Sequence, residues 1–590
     1  MKNYQLLKDL VPKHKHSKNG FDRSSRDLFS MKAGMLLPVN CVETVPNGYY
    51  EIDIAALART LPMVSAPYTQ MKLYFDTFFV PYSQLWHGWD TWRAQRENYD
   101  TAYHRGYDFL PALDMEQFWW HIRQCLANEG GAANYPYNEF GDYVYRDCVR
   151  IAGLLGYGAV SGTLTLDKVD TLRQGVGGKL ANIWRVAAYQ KIWQDHYMNP
   201  YFQLPNPYFY NFDDIPCDTA ERSKISVDTG LVVNVPEGAL PQTPRQAGGW
   251  CNVYMFIPRY RRWRQDLLMG LLPNAQFGEV SMMPGTDFTL QVLNEDIPSG
   301  SPFLKKDQAG NIGFGANTNT TPALADKIAR FSVDNLISVL DERRAKALQK
   351  WKETTMRAGF RARSQAIAHD GVAPIHSNDN RVVFLGSSSQ IIGIDEVVAQ
   401  AETGTGAGQS LGDIAGKGIA TMNGEKIRYE ATEFGVIMTL ASIEPMSLYP
   451  DTGISPFNTK FEHFDYYTEE FENLGFAPVP ENYLRGFVEY ESILGYAPRY
   501  WEYKTNVDRV HGEFGSDGSL AAWTISRNDI VGGAGTTGPI AIRDFYINPK
   551  VVDSIFGVNS DDTQMTDQFW LTTVFDVKAV QPMSVLGLPY

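Results

Sequence analysis

At 590 residues and 66.4 kDa the chain exceeds the roughly 250–300 residues that one simple hydrophobic core accommodates, so several folding units, or one core with large insertions, are expected. Hydrophobic residues at 44% and charged residues at 20% give a soluble globular balance and exclude fibrous and disordered classes. A net charge of −14 excludes a protein whose whole surface grips nucleic acid, because phosphate neutralisation needs a basic face.

The 32 Tyr, 31 Phe and 13 Trp are more large rings than one core requires, and such rings concentrate where proteins meet proteins. Cys41, Cys125, Cys148, Cys217 and Cys251 form an odd set without CxxC spacing. They predict reduced thiols rather than a zinc site or a disulfide framework. The first residues lack an apolar signal core and no run reaches membrane-spanning length, which reads as a protein made and kept in the cytosol.

Residues 1–26 carry Lys2, Lys8, Lys13, Lys15, Lys18, Arg23 and Arg26 against Asp9 and Asp22. This is a basic arm on an acidic body. Its five lysines, with His14 and His16 between three of them, suit sequence-independent contact with phosphates, the alternative being a solubilising tail. Phe29–Pro46 and Tyr50–Leu61 read as strands around a Pro46-Asn47-Gly48 turn.

Met71–Val80 is apolar on both sides, with Leu73, Phe75 and Phe79 on one and Tyr74, Phe78 and Val80 on the other. It predicts a strand covered on both faces. Pro81 ends it, and Ser83 is the expected cap of a short helix carrying Leu85, Trp89 and Trp92.

Helical periodicity follows over Met115–Ala127 (Phe118, Ile122, Cys125) and Ile183–Tyr197 (Val186, Tyr189, Trp193, Tyr197). Residues 203–257 and Glu295–Pro322 read as long loops, which need a function at that length. Thr321-Pro322 is the expected start of a helix with Leu336, Leu340, Ala347 and Trp351 as an apolar stripe. Its other face holds Arg343, Arg344, Lys346, Lys350, Lys352, Arg357, Arg361 and Arg363, either solvated or on phosphate.

Beyond Gly371 strands are expected at Arg381–Leu385, Ile427–Thr432, Phe434–Ile443, Gly486–Glu491, Ala497–Tyr503, Leu520–Ser526 and Trp570–Val580. Turn residues separate nearly all of them, as in a sandwich or closed barrel. Gly435–Ile443 is as apolar as Met71–Val80 and is its expected partner, so two ends of the chain build one core around a helical middle.

No catalytic signature survives. Gly412–Lys417 has three residues before Gly-Lys where a phosphate loop needs four, Gly404–Gly408 is not followed by a helix pattern, and Gly532–Gly538 is equally explained as a mobile turn. His463 with Asp465 and His511 with Glu513 would share a strand face as structural pairs. Asp561 and Asp562 lack a calcium loop's alternating oxygens. No metal and no cofactor are expected.

Phe21–Val45 (FDRSSRDLFSMKAGMLLPVNCVETV), Pro62–Trp89, Val186–Tyr201 and Phe464–Tyr467 (FDYY) resemble the major capsid protein of the Microviridae, particularly its gokushovirus-like branch. Arg261–Pro273, the Leu340–Trp351 helix, Leu385–Ser388, Gly435–Pro445 and Gly495–Gly512 continue the resemblance in the family's order. The chain departs from the family at Leu272–Gln276, where a tryptophan-containing motif is replaced.

The resemblance implies a mainly β fold, one eight-stranded jelly roll with large helical and loop insertions, and a non-enzymatic subunit of the icosahedral (T=1) shell of a small single-stranded DNA phage. Its implied partners are many copies of itself, packaged single-stranded DNA, small DNA-binding and pilot or minor virion proteins, and a host surface receptor, with no membrane. Its implied place is the virion, assembled in the host cytoplasm.

The expected organisation is an internal basic arm (1–26), the first part of the jelly roll (27–95), a helical insertion (96–202), a loop-rich insertion (203–278), a candidate surface protrusion (279–322), a helical segment (323–370) and the remaining strands with a C-terminal extension (371–590). Lys2, Lys8, Lys13, Lys15 and Lys18 are the expected DNA contacts. The alternative is a carbohydrate-binding or carbohydrate-active β-sandwich, which would need aromatics clustered beside paired carboxylates in one groove.

Overall fold

The computed structural model describes residues 18–86, 88–93, 112–127, 138–142, 144–160, 162–176, 180–203, 253–281, 289–293, 302–306, 312–316, 328–332, 339–359, 361–372, 381–398, 414–486, 492–515, 518–531, 538–557 and 567–585. Two compact units emerge, Met1–Pro273 with Pro374–Tyr590, and Asn274–Ala373.

The first unit opens with strands β1 (Asn19–Asp22), β2 (Ser25–Met31), β3 (Met35–Thr44), β4 (Gly48–Thr60) and β5 (Met71–Pro81). Later come helices α1 (Met115–Ala127), α2 (Tyr145–Leu154) and α3 (Trp184–Ile192), the last extended by a π-helical turn over Trp193–Tyr197, and then the short strand β6 (Arg259–Tyr260). The second unit pairs β7 (Thr289–Leu293) with β10 (Ile328–Ser332) and β8 (Pro302–Lys306) with β9 (Ile312–Ala316), and adds helices α4 (Val339–Ala358) and α5 (Ala362–Asp370). The chain then supplies the first unit with β11 (Val383–Val398), β12 (Ile414–Asn423), β13 (Ile427–Ala431), β14 (Gly435–Pro445), β15 (Phe476–Pro480), β16 (Ile493–Pro498) and β17 (Phe569–Gln581).

Eleven strands join one antiparallel sheet. β3, β4, β5, β11, β12, β13, β14 and β17 are its body, and β1, β2 and β6 extend its edges. Strand β11 belongs to two walls: Val383–Ile392 pairs with β5, and Gly393–Val398 pairs with β12. One wall is therefore β11-β5-β14-β3, and the other is β12 and β13 on β4, then β17, then β1 and β2. Phe79 of the first wall meets Tyr429 of the second with ring centroids 4.8 Å apart. This is the β-sandwich expected from the alternating segments.

β5 and β14 pair over their whole length, Gly435 opposite Pro81 and Ile443 opposite Leu73. Every residue of β14 is buried. The second cover is α3, which packs on both strands and is itself buried nearly all round, as a helix apolar on every side must be. β4 and β17 instead alternate buried with partly buried or exposed positions, because no described element packs over the outer face of their wall as α3 does over β5 and β14.

Several expectations change. Ser83 lies inside the helical turn Tyr82–Leu85, whose cap is Pro81, and its hydroxyl donates instead to Glu433 (2.6 Å). Ala497–Tyr503 is a strand only to Pro498, which cannot donate to a ladder; Tyr500 then takes a left-handed turn (φ 60°) into a helix at Trp501. Leu520–Ser526 is a 3-10 turn over Ala521–Trp523, because Glu513 captures Ser519 and closes the backbone locally. Glu295–Pro322 is not structureless, since β8 and β9 form a ladder there. The α4 stripe faces outward at Leu340 and Trp351, while Met356 is the buried residue. Thr321, Pro322 and Leu336 lie outside the described residues, as do most of 203–257 and of Gly486–Glu491.

Candidate assembly surface

The outer face of β5 is locked to its helical cover by paired charges. Arg261 donates to Asp76 (2.7 Å), which also accepts from the Tyr197 hydroxyl (2.6 Å), and the guanidinium lies 3.9 Å from the Tyr74 ring centroid. Burial, reinforced by the Asp76 carboxylate, pushes Tyr197 well above the usual phenol range, so the hydroxyl keeps its proton and donates. Fully buried Arg259 pairs with Glu139 (3.0 Å) and Gln190 (2.7 Å). Lys32 pairs with Asp147 (2.9 Å), and Arg150 bridges Asp147 and Asp567. Pairs like these add little net stability but hold one arrangement, since breaking one strands a charge. They make the sandwich and helices one stiff body.

Residues 456–474 form the most conspicuous surface, three 3-10 turns over Pro456–Thr459, His463–Asp465 and Glu469–Phe471. Lys460 organises them. Its ammonium pairs with nearly buried Glu502 (2.6 Å) and sits 5.1–5.9 Å from the rings of Phe457, Tyr466 and Tyr503. It also donates to the Asp465 carbonyl. The Asp465 carboxylate accepts from the Glu462 (2.8 Å) and Phe461 (2.9 Å) amides, which hold its pKa below the usual range. Fixed this way, the backbone presents Phe461 at 82% exposure and Phe464 at 62%, with Tyr466 and Tyr467 half exposed. A monomer has no use for so many bared rings on preorganised turns.

Beside this segment lies a cleft of about 610 Å³ lined by Asp451, Phe457, Tyr483, Trp501, Glu502 and Arg509 among others. Its aromatics and carboxylates are what a carbohydrate site would offer. The carboxylates are occupied, however: Glu502 by Lys460, and Asp451 by His511 at 2.5 Å. They do not form a paired acid and base.

The bare outer face of the second wall is the other candidate. Register aligns Ser30, Trp570, Arg59 and Ile419 in one cross-strand row, and Leu28, Thr572, Leu57 and Thr421 in the next. A third row holds Arg26, Val574, Ala55 and Asn423. Leu28 is 78% and Trp570 47% exposed, and none of the three rows holds a carboxylate.

Of the residues expected to contact DNA, Lys18 is exposed just before β1, which pairs with β17 at the sheet edge. Lys2, Lys8, Lys13 and Lys15 lie outside the described residues, as do Asp561, Asp562, Cys217, Cys251 and most of the glycine runs. Lys417 of Gly412–Lys417 sits on β12. Asp465 caps its own turn, and His511 pairs with Asp451 while Glu513 holds Ser519. The two histidine–carboxylate pairings fail because neither segment is a strand. Among the described residues no group of three or more His, Cys, Asp or Glu is placed to hold a metal. No described helix is long and apolar enough to cross a membrane. Lys460, Phe461, Arg59 and Trp570 were not singled out from sequence; the dense aromatic and acidic run FEHFDYYTEEF was the available signal for the first two.

Comparison with known proteins agrees with this picture. The capsid protein (F protein) family profile matches residues 10–111 and 165–590. Capsid protein VP1 of Bdellovibrio phage phiMH2K is 23% identical over 606 aligned positions, covering 98% of this chain and 96% of that protein. Capsid protein VP1 of Chlamydia phage 1 is 25% identical over 317 residues, a match spanning 51% of this chain and about half (48%) of that relative. With a stiff sandwich, bared aromatic turns and a family match over most of its length, the chain belongs to the phage capsid protein (F protein) family.

Proposed function

We propose that this capsid protein closes, in many copies, into the icosahedral (T=1) shell of a small single-stranded DNA phage, without catalysing a reaction. The observation that carries the reading is the set of exposed rings on residues 456–474, held rigid before any partner arrives. The sandwich supports it: eight strands folded into two walls leave few free edges and make a stiff tile. Each lasting contact between copies should bury more than about 1,000 Å² in total.

In this reading the basic arm lies inside, where Lys2, Lys8, Lys13, Lys15 and Lys18 neutralise packaged DNA, accompanied by small DNA-binding and pilot proteins. Residues 279–322 rise as a surface protrusion toward a host receptor, and assembly takes place in the host cytoplasm. Negative-stain imaging of the purified chain tests the shell: uniform spherical particles are expected, and a monodisperse single chain sinks the proposal. Deleting residues 1–18 tests the arm, since particles should then hold less nucleic acid and lose salt sensitivity.

A further inference from the structure

Two surfaces of the first unit are exposed among the described residues: one is acidic, and on the other the three cross-strand rows above, as far as the Asp576–Asp53 row that follows them, carry only basic charge. The segment 456–474 exposes Phe461 and Phe464 beside Glu469 and Glu470, and its only lysine, Lys460, is already neutralised by Glu502. The outer face formed by β2, β17, β4 and β12 exposes Leu28, Trp570 and Ile419 beside Arg26 and Arg59. Neither arginine has an ion-pair partner among the described residues. Both surfaces have the composition of binding hot spots, aromatic and arginine side chains on stiff supports.

The geometry points to one contact between them: the acidic aromatic segment of one copy docks on the basic apolar sheet face of the next. The inference rests on the shell reading and names the surfaces that build it. Self-pairing of either patch would set like charges face to face, Glu469 and Glu470 against their own copies or Arg26 against Arg59, which disfavours a symmetric contact. Cross-pairing matches apolar with apolar and acid with base. Such a heterologous contact repeats from copy to copy and forms rings where the rotation between neighbours divides a full turn, as it must in a closed shell. Three rows across four strands offer roughly 400 Å² from strand spacing alone, about half the ~800 Å² per partner of a stable interface. The contact is therefore one component of a subunit boundary, weak enough alone to correct errors during closure.

Reversing charge on one surface at a time tests this in the full-length protein. Glu469→Lys with Glu470→Lys makes both surfaces basic; Arg26→Glu with Arg59→Glu makes both acidic. Sedimentation velocity should show wild-type particles, each variant alone shifted to single chains, and a chain carrying all four substitutions assembling again, because its two surfaces have then exchanged charge and match once more. All four positions are exposed, so melting temperatures should match wild type. Phe461→Ser with Phe464→Ser, which changes no charge, should also shift the protein to single chains. Assembly of either charge variant alone, or failure of the four-substitution chain to assemble although it melts like wild type, overturns the contact while leaving the shell reading intact. If the arginine variant assembles normally but loses bound single-stranded DNA, the sheet face belongs to the genome and the inference fails. A wild-type protein that remains a single chain at every concentration overturns the shell reading itself, and this contact with it.

Discussion

At the scale of single residues, the interior shows how a capsid subunit holds one shape with charges it cannot hydrate. Lys32 and Asp147 are almost fully buried, and Arg150 supplies the second cation. Burial alone would raise the Asp147 pKa, but the two cations outweigh it and the net shift is downward. A carboxylate lowered on folding contributes stability above its unfolded pKa and loses it as pH falls through the folded value. The pair should therefore support the fold at neutral pH and weaken only below about pH 4, the unfolded carboxylate range. Asp147→Asn leaves a buried lysine partly unpaired and should cost about 3–5 kcal/mol, read as a lower denaturation midpoint. Glu342→Gln, which removes the exposed partner of Lys346, should cost less than about 1 kcal/mol.

Among elements, β5 and β14 were legible in the sequence because each is apolar on both faces, which only a doubly covered strand tolerates. The structure pairs them in the expected antiparallel match. α1 was equally plain from its periodicity, its limits being those of Met115–Ala127. The 456–474 turns were not, since 3-10 segments have no apolar period and their order comes from Lys460 and Asp465 bonding to their surroundings. Nor was the patch around Trp570 and Arg59, neighbours in space but 511 positions apart, which only the β17–β4 register brings together. Register also fixes where small residues are required. A Cβ on Gly435 would stand 2.4 Å from the Val80 carbonyl and 2.7 Å from the Phe79 ring. Backbone cannot yield there without parting β14 from β5, so Gly435→Ala should lower soluble yield and melting temperature, whereas Gly20→Ala, with open space around it, should change neither.

For the whole molecule, the decisive property is that neither end of the sequence can build the sandwich alone. β5 has β11 and β14 as its lateral neighbours, and β4 has β17, β12 and β13. All of these follow residue 380, so the early strands expose unpaired edges and a wholly apolar strand until the late ones arrive. Long-range pairing of this kind folds slowly and is prone to aggregate while incomplete. The described residues of the intervening unit, Asn274–Ala373, supply no strand to the eleven-stranded sheet. Because closure entropy grows only logarithmically with loop length, each doubling costing about 0.6 kcal/mol, such an excursion burdens the sandwich little and its removal gains it little. Two truncations should therefore behave in opposite ways. Residues 1–273 alone should be insoluble or bind hydrophobic dyes, while a chain in which a flexible glycine–serine linker replaces 274–373 should keep a cooperative melt and the far-ultraviolet signature of β-structure. Cooperative folding of the 1–273 fragment would mean that its strands find partners among themselves, and the two-ended core would have to be abandoned.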